Sequence, residues 1–187
     1  MNYPSTRRIC GAFAATALAV VLSGLVAVSA APKYQQMPAD GWVTYVNDNL
    51  GYNFYYPSTF FEPQAIATDT QAKTFLSPDK RAKIVVSAVE NDENFTLAGY
   101  RAAILGEFGG YELLDYSPTG QTWFVLSGFR GENIYYQKVL FSCGGRIINV
   151  ISITFPIADR AFYEGLVEVM EDNFRPGTGR DTPAGCR

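Results

Sequence analysis

Hydrophobic and polar positions alternate along most of this chain in short blocks, and the blocks read as strands joined by tight turns. Trp42 to Val46 and Leu50 to Tyr56 are β-branched and aromatic runs around Asn47-Asp48-Asn49, which predicts a hairpin ended by Pro57. Phe60-Phe61 before Glu62-Pro63 predicts a loop that tucks aromatics under a sheet, because proline is excluded from a central strand. Lys73 to Leu76 and Lys83 to Val89 flank Ser77-Pro78-Asp79-Lys80, a turn sequence that predicts a second hairpin.

The period then lengthens. Leu97, Tyr100, Ile104, Leu105 and Phe108 recur at helical spacing after Thr96, which can cap the helix, and Gly109-Gly110 ends it. Four strand-like runs follow: Tyr111 to Tyr116, Trp123 to Phe129, Ile134 to Cys143 and Arg146 to Phe155. Their connections are short enough to join only antiparallel neighbours, and Gly144-Gly145 predicts a two-residue hairpin with both glycines at positive φ. Beyond Pro156, residues 159–173 form an amphipathic pattern with Phe162, Leu166, Val169 and Met170 on one face. The expected fold is α+β: a central, largely antiparallel sheet with helices packed on its faces, in one domain over residues 41–176. Residues 177–187, rich in Pro, Gly and Thr, read as an irregular tail.

The first thirty residues follow a different rule. Arg7 and Arg8 precede an uncharged run from Gly11 to Val28 and the small triplet Val28-Ser29-Ala30, the layout of a signal peptide over residues 1–30. This predicts a periplasmic or secreted protein. A retained membrane anchor is the alternative if the segment is not cleaved. Residues 31–40, with Pro32 and Pro38, read as an extended arm. Cleavage removes two arginines and Cys10 and makes the formal net charge more negative than the −3 of the whole chain. An acidic surface without basic runs argues against nucleic acid as a partner.

Two cysteines remain. A helix of about fifteen residues runs back roughly 22 Å along the preceding strand. It therefore ends near the Gly144-Gly145 turn, and the tail can bring Cys186 to Cys143. A Cys143–Cys186 disulfide is expected, closing a loop worth roughly 4 kcal/mol in the chain-entropy model.

Candidate chemistry is narrowed most by what is missing, since the chain has no histidine. That excludes Ser-His-Asp and Cys-His nucleophiles, histidine general bases and histidine zinc ligands. Glu90, Asp92 and Glu93, and Glu164, Glu168, Glu171 and Asp172, form acidic groups without the spacing of a calcium loop, and read as solvated surface. No catalytic residue, metal ligand or cofactor is assigned. Aromatic residues are abundant, and alternation sends Tyr55 and Tyr56, and Tyr135 and Tyr136, to opposite faces of their strands. If helices do not cover both sheet faces, these tyrosines with Arg130 and Lys138 make a candidate binding surface.

The mature chain resembles secreted bacterial members of the PsbP/Mog1-like group. The resemblance is carried by Leu50-Gly51-Tyr52 through Tyr56-Pro57-Ser58, Asn94-Phe95-Thr96-Leu97, Ser127-Gly128-Phe129-Arg130-Gly131, Ile134-Tyr135-Tyr136 and Asn173-Phe174-Arg175-Pro176. It implies an α/β/α sandwich used mainly to dock onto larger assemblies. Metal sites in photosynthetic members depend partly on histidine, so no ligand or partner is carried over. The expected function is an exported, non-catalytic binding or accessory domain for an envelope protein or small ligand. A carboxylate- or tyrosine-based hydrolase of cell-envelope material is the alternative. Cleavage at the predicted site makes Ala31 the first residue of the exported protein, which N-terminal sequencing reads directly; Met1 there would mean a retained segment.

Overall fold

The computed structural model describes residues 40–47, 49–65, 72–107, 113–177 and 186. The predicted signal, the N-terminal arm before Asp40, the Gly109-Gly110 stop and all of the tail beyond residue 177 except Cys186 lie outside them. Among the described residues nine strands and two α-helices follow in chain order: β1 (Trp42–Val46), β2 (Asn53–Pro57), β3 (Glu62–Pro63), β4 (Ala72–Leu76), β5 (Lys83–Glu90), α1 (Leu97–Glu107), β6 (Leu113–Tyr116), β7 (Trp123–Arg130), β8 (Asn133–Ser142), β9 (Ile147–Pro156) and α2 (Arg160–Asp172).

Short connections force antiparallel pairing, and every pairing in the main sheet is antiparallel. Its seven strands lie in the order β3-β4-β5-β9-β8-β7-β6, so β9, the last strand in sequence, sits in the middle. The hairpin β1-β2 is a separate two-stranded ribbon. This is the expected α+β class. Proline is tolerated at Pro63 because β3 is an edge strand of two residues, while Phe61 before it is fully buried.

Two turns differ from expectation. Strand β2 begins at Asn53 rather than Leu50, because the Asn47 side chain accepts hydrogen bonds from the amides of Asn49 and Leu50 and Gly51 sits at φ 75°. The longer turn lets Leu50 and Tyr52 drop into the core. The β8–β9 connection is not a two-residue hairpin. Ser142 pairs with Ile147, and Cys143, Gly144 and Gly145 all have positive φ in a single 3-10 turn. Having the two glycines there leaves only one residue with a side chain, Cys143, in that costly region.

One face of the sheet is covered by α2 and the β1-β2 hairpin. Buried side chains of α2 (Phe162, Tyr163, Leu166, Val167, Met170) and of β2 (Phe54, Tyr56) share one core with Ile84, Val86, Ile151, Ile153 and Phe155. Aromatic rings fill the gap between hairpin and sheet: Phe54 meets Phe75 edge-on at 5.1 Å and Tyr56 lies 4.7 Å from the same ring. Tyr52 donates its buried hydroxyl to the Val86 carbonyl at 3.3 Å.

The chain after α2 is stitched back onto this framework. Asn53 and Arg175 exchange backbone hydrogen bonds of 3.1 and 2.8 Å. Fully buried Asn149 donates to the Leu140 carbonyl and to Ser142 Oγ, and accepts the Gly177 amide at 2.7 Å. Any side chain at position 177 would collide with the Leu50 carbonyl, so glycine is required there by close approach. Cys143 and Cys186 are joined by the expected disulfide, with their Cα atoms 4.7 Å apart. On these contacts, Cys186→Ser lowers the unfolding free energy by up to about 4 kcal/mol. Asn149→Ala, which strands a buried carbonyl and a buried amide, costs about 3 kcal/mol. Urea melts of the oxidised protein measure both.

Candidate functional site

Among the described residues, the second face of the sheet is covered over only part of its length, and the strand register shows where the cover by α1 stops. Three cross-strand rows tell the difference. Ser87, Val150, Val139 and Phe124 form one row across β5, β9, β8 and β7; Val85, Ser152, Gln137 and Leu126 form the next; Lys83, Thr154, Tyr135 and Gly128 form the third. Beneath α1, the first row and its neighbours pack with Ile104, Tyr100 and Leu105, and Phe124, Leu126 and Val139 are fully buried. In the third row no apolar side chain remains except the tyrosine ring.

Helix length explains the boundary. The eleven residues of α1 span about 16 Å, whereas the ten-residue strands β8 and β9 run about 34 Å. The helix starts at Thr96, whose Oγ1 accepts the Gly99 amide at 3.0 Å as the capping pattern predicts. The remaining half of the face is a depression of about 390 Å³ lined by Lys83, Val85, Arg130, Asn133, Tyr135, Ser152 and Thr154. Two cations and no carboxylate are among the described residues lining it, on a chain of formal charge −3. The Arg130 guanidinium lies over the Tyr135 ring at 5.5 Å, and the Tyr135 hydroxyl is 3.3 Å from Ser152 Oγ.

Gln137 stands at the boundary between the covered and uncovered halves. It is 8% exposed, in register with Ser152 and Leu126, and its Oε1 has no hydrogen-bond partner among the described residues. A buried amide oxygen without a donor costs about 1–3 kcal/mol.

The six surface residues expected from sequence fall in four places. Arg130 and Tyr135 meet in the depression. Tyr136 and Lys138 point to the opposite face, where Lys138 pairs with the Glu171 carboxylate of α2 and donates to its backbone carbonyl at 3.1 Å. Tyr55 stacks on Trp42 at 5.1 Å on the outer side of the hairpin. Tyr56 is a core residue, 7% exposed, and belongs to no surface. Lys83, Asn133, Gln137, Ser152 and Thr154 are the residues that sequence reading missed. For Ser152 and Thr154 the signal lay in the 147–156 run, where apolar residues other than Asn149 occupy both faces through Ile151 and one face only from Ser152 to Phe155.

A second cleft, of about 420 Å³, opens beside α2. Asp115, Glu164, Glu168 and Glu171 line it with Tyr116, Tyr136 and Arg160. Glu164 pairs with Arg160 at 2.6 Å and Glu171 with Lys138. Burial, followed by the neighbouring Glu171 carboxylate, drives the Tyr136 hydroxyl well above the ordinary phenol range, so it stays protonated. Among the described residues no three acidic or cysteine side chains come together as a metal-holding group.

No protein-family model matches the chain, and no curated protein matches it in sequence. In three dimensions it is similar to the solution structure of cyanobacterial PsbP (CyanoP) from Synechocystis sp. PCC 6803. The TM-score is 0.54 at 13% identity, over 78% of this chain and 99% of that one. It is also similar to the Ran-binding protein Mog1p of Saccharomyces cerevisiae, with a TM-score of 0.53 at 12% identity, over 72% and 95% of the two chains. The fold is PsbP/Mog1-like, as the sequence resemblance implies.

Tyr52 and Tyr136 have hydroxyls held above the ordinary value of about 10, Tyr52 by burial and then by Tyr45. Below that pH neither form of the protein ionises them. Above it the unfolded chain loses these protons and the folded one retains them, so stability falls as pH rises. The urea midpoint drops between pH 9 and 11, and Tyr136→Phe makes that drop shallower.

Proposed function

We propose that this chain is an exported, non-catalytic binding domain whose ligand-facing surface is the half of the sheet that α1 leaves uncovered. The observation that carries this reading is the composition of that half. Lys83, Arg130, Asn133, Tyr135, Ser152 and Thr154 replace the apolar side chains found on the same strands one or two rows away. Antiparallel sheets can turn one face to water without consequence. Here the polar face is local and concave, and positive on an acidic chain, so it suits recognition of a complementary charge. Export is supported by the N-terminal pattern and by the Cys143–Cys186 bridge, a linkage that persists in oxidising compartments.

A hydrolase finds less support. Two of the four carboxylates in the cleft beside α2 are held by Arg160 and Lys138, and Tyr136 resists the ionisation a nucleophilic phenol needs.

The test is capture from envelope extract with the wild-type protein and with the double substitution Lys83→Glu, Arg130→Glu. Both positions are exposed, so the variant keeps its circular dichroism spectrum. The reading expects a ligand or protein retained by the wild type and lost on charge reversal. Nothing retained, or retention indifferent to the reversal, contradicts it.

A further inference from the structure

We propose that the cleft between α2 and the edge strand β6 docks an extended basic segment of a partner protein, one that presents two lysine or arginine side chains on the same side of its backbone. This cleft is separate from the positive depression on the other face of the sheet, and the proposal does not depend on that reading.

Uneven cover creates the cleft. The β1-β2 ribbon packs on β4 through Phe54 and Phe75 and on β5 through the Tyr52 hydroxyl, and α2 packs on β9 through Tyr163 and Phe155. At the β6 end the cover stops: Tyr116 is 56% exposed, and its register partner Ser127 lines the cleft with it. Ile134, Phe155 and Val167, all buried, supply an apolar floor.

Strand alternation would send Asp115 and Tyr116 to opposite faces of the sheet. A register shift prevents this. Leu114 pairs with Gly128 and Tyr116 with Ser127, so Asp115 is the extra residue of a bulge, and Asp115 and Tyr116 both line the cleft. Bulges re-aim side chains in this way. Here the bulge brings a carboxylate and an exposed aromatic ring to one wall.

The other wall is acidic. Glu164, Glu168 and Glu171 recur at i, i+4 and i+7 on α2 and form a stripe about 10 Å long. Asp115 and Glu168 make no ion pair among the described residues. Glu164 and Arg160 are both about half exposed, so an incoming cation displaces their pairing at little cost. Glu171 stays with Lys138.

Charge complementarity therefore calls for a cation, and the shape of the stripe calls for an extended one. Alternate side chains of an extended peptide lie about 7 Å apart on one side, which sets two basic groups along α2 and Asp115. Strand β6 ends the sheet, so one of its backbone edges has no neighbouring strand and can pair with an extended partner. The Tyr116 ring adds a face for an ammonium or guanidinium group.

The experiment is a ¹⁵N NMR titration of the purified protein with three peptides at matched ionic strength: acetyl-Gly-Lys-Ile-Lys-Gly-amide, acetyl-Gly-Ile-Lys-Lys-Gly-amide and acetyl-Gly-Glu-Ile-Glu-Gly-amide. The first is expected to shift the backbone amides of Leu114, Tyr116 and Glu168 to saturation and leave those of Lys83 and Ser152 in place. The second carries the same charge with one lysine turned away, and is expected to bind about fivefold more weakly. Asp115→Asn combined with Glu168→Gln is expected to weaken the first peptide about tenfold, the worth of two exposed ion pairs. Both positions are exposed, so the variant keeps its circular dichroism spectrum. Equal affinity for the two lysine peptides would reduce the cleft to a general patch of negative charge and overturn the proposal. So would silence with the first peptide, binding indifferent to the double substitution, or the same shifts from the glutamate peptide. If the peptides are silent and the double substitution moves the amides of residues 31–39, the chain's own arm takes the cleft. If the double substitution dissociates a dimer, a second copy takes it. Either outcome also overturns the proposal.

Discussion

The fold turns on strand β9, which is last in sequence among the strands and central in the sheet. A central strand must bury both faces wherever layers cover it on both sides. Ile147 to Ile151 meets that demand, with Ile147 and Ile151 in one core and Ile148 and Val150 in or against the other. From Ser152 the strand satisfies it on one side only, with Ile153 and Phe155 inward and Ser152 and Thr154 outward. Its partner β8 changes at the same row, from Val139 to Gln137, while β5 turns polar one row later, at Lys83. A helix of eleven residues then covers as much of the face as is apolar, and no more.

The opposite face shows what broader coverage takes. There α2 and the β1-β2 ribbon act together, and the ribbon is a separate sheet that forms no strand ladder with the main one. Aromatic packing, the Tyr52 hydroxyl on Val86 and the chain after α2, which pairs with β2 at Arg175, help keep it in place. That return segment is fixed in turn by Asn149 and by the disulfide at Cys143. Closure of the covered face thus leans on a covalent bond, which ties the stability of the domain to the redox state of its surroundings.

Much of this was legible in the sequence, for physical reasons that differ from element to element. Gly and Pro punctuation located the strands of the meander, and amphipathic spacing located α2 within a residue or two of Arg160–Asp172. The disulfide followed from helix length alone. Turns were less legible, because Asn47 and Cys143 use side-chain hydrogen bonds and positive φ that residue type does not dictate. The candidate surface was half legible. Adjacent tyrosines certify that one member of each pair faces away from a given layer, and they do not say which layer is thin. Tyr135 and Tyr136 illustrate this: the first lies in the depression and the second under α2. Tyr56 was misjudged because the hairpin turns its face inward, a tertiary choice with no local signature.

The central claim is that α1 leaves half of the sheet open and that this half is available to solvent. Hydroxyl-radical footprinting of the folded protein tests it most directly. Tyr135, half-buried on the open half, is predicted to oxidise at a rate between that of Tyr116, which is 56% exposed, and that of Phe124, which is buried beneath α1 on the same face and stays protected. Protection of Tyr135 to the level of Phe124 would contradict the account.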